Sequence, residues 1–336
     1  MSLIRRSLGL AAGVAVAALA LSGCVAGENA AAAPAESQGA AAASASIALD
    51  WATYNPLSLI VKDQGWLEEE GYDVEWVQSL GSSKANEALR AGAVDFGSTA
   101  GSAALLARAN GAPQQIIDVV AQPEWAALVV PEGSDITSVA DLKGKRVAAA
   151  LGTDPYFFLV QALEENGLSV DDVTVENLIH ADGAAALQSG SVDAWSGLDP
   201  IMASTEAAGA TLFYRDLDLN SYSVLNATED IIQNNPDAVQ AVVDAYERAR
   251  EWALTNPEET ARILAEAAVI DLAVAQKVID EREGLDVDPV PGAALEKVLA
   301  PIGAIQVEIG DVASQAALDE ALETLFAPQF AEKAVG

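Results

Sequence analysis

From residue 47 onward, short apolar segments alternate with longer segments that end at glycine. The first cycle runs from "SIALDW" through "PLSLIVKDQGWLEEEG" to "YDVEWVQSL", and further cycles follow at similar spacing. Short apolar runs are typical of strands, whereas segments that begin after small polar residues and stop at glycine are typical of helices. This alternation predicts an α/β fold with mostly parallel sheets flanked by helices on both faces.

An internal echo indicates that the chain has two lobes. "LRAGAVDFG" (89–97) and "LQSGSVDAW" (187–195) share the order Leu-x-x-Gly-x-Val-Asp, and both precede a loop. Two copies without a third indicate two lobes of similar build rather than a solenoid, although coincidence in a chain rich in alanine and glycine is the alternative. After residue 228 the pattern is mostly helical. We expect a two-lobed clamp whose hinge the chain crosses twice, with lobe 1 formed by residues 47–131 plus 222–336 and lobe 2 by residues 132–221.

The N-terminus has the pattern of an export signal. Arg5 and Arg6 precede a short apolar run that ends in "LSGC" at Cys24, and Cys24 is the single cysteine of the chain. A charged start, a short apolar run and small residues at the cut site describe a secretory signal rather than a membrane span. "LSGC" resembles the bacterial lipobox, and the alternative is an ordinary signal with a chance cysteine. We predict an extracytoplasmic protein, on the cell surface or in a periplasm, with a signal peptide over 1–23, a lipid on Cys24 that anchors it to the membrane, and a flexible tether over 24–46.

Charge and composition exclude several classes of function. The chain has 50 acidic and 17 basic residues and a net charge of −33, which argues against nucleic acid as a partner. It has one histidine, His180, and no GxSxG, GxxxxGK[ST], strand-linked GxGxxG or HExxH motif. One cysteine excludes a cysteine-based metal site. We therefore expect a protein that is not an enzyme and that holds no cofactor and no metal, with His180 capping a loop rather than lining a cleft.

Three predicted helix starts are nearly free of acidic side chains. They are "LGSSKANEAL" (80–89), "GSTAGSAALL" (97–106) and "LGTDPYFFL" (151–159). A helix start presents unpaired N–H groups and a partial positive charge, which together bind anions. The alternative is that the Ser and Thr residues are ordinary caps, and Asp154 is well placed to cap its own helix before Pro155. The position of these starts after strand ends favours an anion site in a cleft between the lobes. Aromatic side chains near the same strand ends are candidates to wall in a short alkyl chain, with a place in the core as the alternative: Trp51, Tyr54, Trp125, Tyr156 and Trp195.

Several blocks taken together resemble a known family. They are "LDWATYNPLSLIVKDQGWLEEEG", "EWVQSLGSSKANEALRAGAVDFGSTAGSAALLARANG", "AQPEWAALVVP", "GTDPYFFLVQALEENGL" and "HADGAAALQSGSVDAWSGLDP". In this order they resemble the solute-binding lipoproteins of ABC importers for aliphatic sulfonates, within the wider nitrate, sulfonate and taurine group. The resemblance implies a periplasmic-binding-protein fold of the second structural type, a monomer that binds a small organic anion between its lobes, and a permease as its partner.

The resemblance also implies ligand-binding residues from both lobes. No arginine matches a site motif, which makes a doubly charged ligand such as sulfate or phosphate a poorer fit. Replacing Ser83 or Thr99 by a bulky residue should then abolish binding and leave the fold intact. The residues carried over are Asn55, Ser82, Ser83, Thr99, Gly101, Glu124, Trp125, Thr153, Tyr156, Trp195 and Asp199.

Other ligands and one enzyme remain as alternatives at this level. Taurine would need a carboxylate facing its ammonium group, which Glu124, Asp154 or Asp199 would supply. Nitrate, bicarbonate and a thiamine-type pyrimidine are further candidates. An enzyme of the related pyrimidine-synthesis group would need a cofactor-bearing lysine and a histidine that donates atoms, roles for which Lys84 and His180 are the candidates.

Overall fold

The computed structural model of the protein describes residues 45–336. The predicted signal peptide, the site of lipidation at Cys24 and nearly all of the tether lie outside these residues. The described strands are β1 (Ser46–Trp51), β2 (Asp73–Gln78), β3 (Phe96–Ala100), β4 (Gln114–Ala121), β5 (Leu128–Val130), β6 (Arg146–Ala149), β7 (Thr174–Asn177), β8 (Ala194–Ser196), β9 (Thr211–Tyr214) and β10 (Ser223–Thr228).

Up to β10 the α-helices of the described region lie between strands, although none separates β4, β5 and β6 or β9 and β10, and after β10 they follow one another to the C-terminus. None of them is both long and apolar enough to cross a bilayer. They are α1 (Pro56–Gln64), α2 (Trp66–Glu69), α3 (Ser82–Ala91), α4 (Gly101–Ala109), α5 (Asp154–Glu165), α6 (His180–Gln188), α7 (Ile201–Ala207), α8 (Glu229–Asn234), α9 (Pro236–Thr255), α10 (Pro257–Ala268), α11 (Leu272–Glu281), α12 (Ala293–Glu308), α13 (Gln315–Thr324) and α14 (Gln329–Val335).

Two five-stranded sheets have the same arrangement. The first has the order β2-β1-β3-β10-β4 and the second the order β7-β6-β8-β5-β9. In each sheet the first three strands are parallel, and the fourth is antiparallel to both of its neighbours. The predicted α/β fold with two similar, mostly parallel sheets is confirmed.

The internal echo has a physical basis in strand pairing. Asp95 and Asp193 are its two aspartates. The Ala48 amide of β1 donates to Asp95 Oδ2 at 2.8 Å, and the Arg146 amide of β6 donates to Asp193 Oδ2 at 2.8 Å. Each aspartate also donates its own amide to the carbonyl of the same partner residue. The aspartate therefore fixes the parallel pairing of β1 with β3 and of β6 with β8, because it closes a two-bond clamp directly before β3 or β8.

The strand β5 lies in the second sheet, whereas the predicted boundary at residue 131 would assign it to lobe 1. It pairs with β8 and β9 in an antiparallel manner. The apolar run that forms β5 has no feature that distinguishes one sheet from the other, so only the pairing locates it. We therefore propose that the chain crosses between the halves at residues 122–127 and 215–222, between the last strand of one sheet and the first of the other.

The C-terminal helices complete the half of the molecule that contains the first sheet. Helix α9 buries an apolar face that was expected from the sequence, and it packs with α1, α10 and α14. Helices α12 and α13 pack on α4. The buried residues of the α9 face are Val239, Val242, Val243, Tyr246 and Ala253.

Candidate functional site

A cavity of about 110 Å³ lies where loops from the two halves meet. The loops follow β1 and β2 in the first sheet and β7 and β8 in the second, at the carboxyl ends of parallel strands, where α/β folds bind ligands. Larger cavities, of about 490 and 310 Å³, are each lined by residues of one half alone. The smaller one is therefore the candidate for a clamp site, and its walls are Thr53, Tyr54, Ser79, Leu80, Ile179, His180, Ala181, Leu198, Asp199, Pro200 and Ile201.

Helix α3 begins at this cavity with uncapped amides. Gly81 is its N-cap residue and offers no side chain. Within residues 45–336, the amides of Ser82 and Ser83 have no acceptor. The Ser82 hydroxyl accepts a hydrogen bond from the Ala100 amide at 2.9 Å, whereas the Ser83 side chain is exposed. Helix α3 can thus supply two backbone donors and a partial positive charge to an anion.

Helix α6 begins on the opposite wall and meets α3 there. Its N-cap residue, Ile179, makes no side-chain capping bond, and His180 is its first residue. The His180 ring is 6% exposed, and its Nε2 lies 3.0 Å from the position that a Cβ on Gly81 would occupy. Its buried Nδ1 has no hydrogen-bond partner in the described part of the chain. Two uncapped helix starts and one imidazole therefore converge on one small cavity.

The walls of the cavity are neutral except for one paired carboxylate. Burial lowers the pKa of His180 to about 4, so the ring is uncharged at pH 7. Neither lysine nor arginine lines the cavity. Asp199 lies in the wall, where burial raises its pKa to about 6, an effect that Arg282 partly offsets. Arg282 Nη1 donates to Asp199 Oδ2 at 3.1 Å, and the Ala203 amide donates to Asp199 Oδ1 at 2.8 Å.

We expect His180 to make the protein less stable in acid. Its pKa falls from 6.5 in the unfolded chain to about 4 in the folded one, so between these values the unfolded state binds the proton more readily. The free energy of unfolding should fall by about 3 kcal/mol from this group as the pH drops from 7 to 4. Urea unfolding of the wild type and of His180→Asn over this range checks the effect, because the variant should show a shallower pH dependence. Parallel profiles would contradict it.

The first amides of helix α4 already have hydrogen-bond acceptors within the protein. The Gly101 amide donates to the Tyr222 carbonyl at 2.7 Å, and the Ser102 amide donates to Ser221 Oγ at 3.2 Å. A Cβ on Gly101 would come within 3.1 Å of the Leu299 side chain. The predicted role of this helix start in binding an anion is thus not supported by the geometry, because its amides already have acceptors.

Asp154 joins the starts of α4 and α5. Its carboxylate accepts hydrogen bonds from the Ser102 hydroxyl, from the amide and hydroxyl of Ser221, and from Trp125 Nε1, at 2.6 to 2.8 Å. Burial raises the pKa of Asp154 above its usual value, and these hydrogen-bond donors offset only part of that rise. The Thr153 hydroxyl donates to the Ala150 carbonyl at 2.6 Å. Asp154 therefore does not cap its own helix, and it holds Trp125 and the two helix starts together without any ligand.

The other residues expected at the site have structural partners and do not line the cavity. Asn55 caps α1, accepting from the Ser58 amide at 3.2 Å, and donates to Ser98 Oγ at 2.8 Å. Thr99 is fully buried, and its hydroxyl accepts from Asn226 at 2.9 Å. A bulky residue at Thr99 should consequently disturb the fold, contrary to the expectation from the sequence.

Three more expected residues lie away from the cavity walls. Glu124 makes a bidentate ion pair with Arg215, at 2.7 and 2.8 Å. Trp195 is fully buried in an apolar cluster of the second half. Tyr156 packs edge-on against Phe157, with ring centroids 5.5 Å apart. Of the residues carried over from the resemblance, Asp199 is thus the one that lines the cavity, with Ser82 and Ser83 at the adjacent helix start.

The start of α6 was not predicted as a binding element, because its residues lack the small polar pattern of the other helix starts. The sequence "LIHADG" has an isoleucine at the N-cap and a histidine at the first helical position. The absence of Ser, Thr, Asp or Asn at the N-cap is itself a signal, since it leaves the first amides of α6 uncapped. The expectation that His180 caps a loop does not agree with its place in the cavity wall.

The chain is similar in sequence and fold to known proteins. A family model described as NMT1/THI5 like matches residues 57–260. An aliphatic sulfonates-binding protein, so named in Escherichia coli (strain K12), is 29% identical over 242 residues, which cover 71% of this chain and 73% of the relative. One of the same name in Bacillus subtilis (strain 168) is 30% identical over 236 residues, 68% of this chain and 71% of the relative. The crystal structure of the periplasmic aliphatic sulphonate binding protein SsuA from Escherichia coli matches with a TM-score of 0.74 and 25% identity, over 84% of this chain and 92% of that one.

Proposed function

The chain belongs to the NMT1/THI5-like family, and from this premise we propose that it is the extracytoplasmic solute-binding component of an ABC importer. It captures an aliphatic sulfonate in the cavity between its two halves, closes around it by hinge rotation, and presents it to a permease. It performs no chemistry on the ligand. The relatives described above carry names of binding proteins, which favours this function over an enzyme.

One observation carries the choice of ligand class, namely the convergence of the α3 and α6 starts on a cavity without a cationic side chain. Backbone donors suit a singly charged oxyanion that has to be released again, because no buried cation is stranded when it leaves. A sulfonate offers three acceptor oxygens and one charge to these donors. Sulfate and phosphate carry a second charge, which no cationic side chain of the cavity wall would offset, so they fit this site less well.

Taurine fits the cavity less well than a plain alkanesulfonate. Its ammonium group would need a carboxylate, and Asp199 is the one that lines the cavity. Asp199 is already engaged by Arg282 and by the Ala203 amide. Glu124 is paired with Arg215 and Asp154 with neutral donors, so neither is available to a ligand.

The pyrimidine-synthase alternative lacks its lysine at the cavity. Lys84 is exposed, and its Nζ pairs with Glu87 at 2.6 Å. It does not line the cavity that contains His180. The histidine therefore stands in the cavity wall without the cofactor-bearing partner that the enzyme would require.

The location and assembly of the protein form part of the same proposal. We propose that Cys24 carries the lipid that holds the protein at the membrane, because "LSGC" places this cysteine directly after small residues. A monomer presenting both halves to the permease fits a clamp of this kind. The acidic net charge of −33 keeps such a protein soluble beside an anionic lipid surface.

Calorimetric titration tests the ligand class. The purified protein is first unfolded, dialysed and refolded, so that any copurified ligand is removed, and is then titrated with ethanesulfonate, taurine, nitrate and a hydroxymethylpyrimidine. We expect micromolar or tighter binding of ethanesulfonate, and weaker binding of taurine. Tight binding of taurine alone would indicate that the ligand is recognised by carboxylates rather than by the helix starts alone. Binding of the pyrimidine alone, or of none of the four, would refute the proposed function.

A further inference from the structure

Two exposed apolar side chains stand on opposite sides of the cavity. Leu80 is 63% exposed and Ile179 is 48% exposed, and both line it. Leu80 comes from the loop after β2 in the first half, and Ile179 from the loop after β7 in the second. Single exposed leucines are ordinary on protein surfaces, but two that face one cavity from separate halves mark an interaction site.

Their positions follow from the helix starts. Leu80 directly precedes Gly81, the N-cap residue of α3, and Ile179 is the N-cap residue of α6. When the amides of these helices hold a sulfonate group, the carbon chain of the ligand therefore leaves the helix starts next to both apolar side chains. The rest of the wall that they adjoin is largely apolar too, with contributions from Leu198, Pro200 and Ile201.

The size of the cavity limits what it can enclose. At about 110 Å³ it has room for a sulfonate group and a short carbon chain. A longer tail has to leave the cavity, and an apolar tail gains free energy only where it remains against apolar surface. The exposed surfaces of Leu80 and Ile179 provide such a path.

We propose that Leu80 and Ile179 form a specificity-determining mouth of the cavity, which binds the alkyl tail of the ligand and so sets the preferred chain length. This inference rests on the proposed function, because it assumes that the head group is a sulfonate bound at the helix starts. The mouth contacts the tail and not the head group. A tail that lies between the two side chains touches both halves, so it also stabilises the closed clamp.

The dependence of affinity on chain length tests the mouth. The unbranched methane-, ethane-, butane- and hexanesulfonates are titrated into the wild type and into Leu80→Ser, Ile179→Ala and the double variant, where alanine removes the apolar side chain without adding a capping hydroxyl to α6. In the wild type we expect affinity to rise about fourfold for each added methylene up to butanesulfonate, since one buried methylene contributes about 0.8 kcal/mol. In the double variant the rise should be lost, so that the affinities for methanesulfonate and butanesulfonate become nearly equal.

A matched control separates the mouth from a general effect of removing an exposed leucine. Leu254 on α9 is 50% exposed and does not line the cavity, so Leu254→Ser should leave the whole series unchanged. The proposed role of the mouth is refuted if the wild type binds methanesulfonate but its affinity does not rise with chain length. It is also refuted if the affinity rises equally in the double variant. In both cases the proposed function stands. If no member of the series binds the wild type, the proposed function itself fails.

Discussion

Replacement of Arg282 by methionine lowers the free energy of unfolding by about 3–5 kcal/mol at pH 7, as expected when one partner of a buried ion pair is removed. The Arg282 side chain is 1% exposed and is paired with Asp199, which is 4% exposed, and with Glu206. Glu283 is also buried, and burial and the nearby Asp199 raise its pKa. Methionine fills a similar volume but leaves the buried Asp199 without its cation, whereas Glu206 still has Lys277. Urea unfolding monitored by circular dichroism measures the loss.

The pH dependence of this loss identifies its cause. The pKa of Asp199 is raised to about 6 in the folded protein from 3.8 in the unfolded chain, so its protonated form is the one that folding favours. Without Arg282 the pKa rises further, and the deficit should shrink as the pH falls from 7 to 5. Arg262 provides the matched control, because it pairs with Glu259 and Glu266 on the surface. Arg262→Met should unfold at nearly the wild-type urea concentration. An equal shift in both variants, or a deficit that does not depend on pH, would contradict the prediction.

Replacement of Gly81 by alanine should weaken ligand binding by at least about tenfold, because about 1–3 kcal/mol of backbone strain is added where the two halves meet. Gly81 has φ 135° and ψ 161°, a conformation that is essentially restricted to glycine. The added methyl group would lie 3.0 Å from Nε2 of His180. It would force apart the starts of α3 and α6, which have to approach together to bind one anion. Titration with ethanesulfonate measures the change in affinity.

Gly92 at the other end of the same helix is the control for strain alone. It has φ 65°, and a Cβ there would meet no atom within 4 Å. Gly92→Ala should lower the free energy of unfolding by about 1 kcal/mol and leave affinity unchanged. If Gly81→Ala binds as tightly as the wild type, or if both variants lose affinity equally, the ligand does not depend on the approach of α3 to His180.

The architecture could be predicted from the sequence because it depends on local patterns. The alternation of strands and helices is confirmed for most of residues 46–228, except around β5 and before β10, where strands follow one another without an α-helix. The repeated Leu-x-x-Gly-x-Val-Asp order corresponds to one structural element in each half. Asp95 closes a backbone clamp between β1 and β3, and Asp193 closes the equivalent clamp between β6 and β8. The assignment of β5 to a sheet required its partners, because an apolar run of three residues pairs equally well with either sheet on sequence grounds.

The candidate site was harder to predict because it depends on partners that are distant in the sequence. The starts of α3, α4 and α5 look alike in the sequence, but α4 and α5 are joined through Asp154 and Ser221. Ser221 lies 119 residues beyond Ser102, and no local pattern indicates that contact. The start of α6, in contrast, lacks hydroxyl residues and was overlooked. A hydroxyl group at a helix start can form hydrogen bonds within the protein as readily as it can bind a ligand. Its presence in the sequence therefore does not distinguish a structural residue from a ligand-binding one.

The return of the chain to the first sheet at β10 has a consequence for the order in which the protein can fold. A chain that emerges from its N-terminus delivers β1 to β4 first, but β3 and β4 pair only through β10, which ends at Thr228. The second sheet is built entirely from residues 128–214 and can therefore be completed earlier. Until β10 arrives, β3 has one open edge and β4 has no strand beside it, and open edges are sites of aggregation. The sheet whose strands are synthesised first is thus the last to be completed. A chain whose synthesis stopped between residues 214 and 228 would have a complete second sheet and an incomplete first sheet.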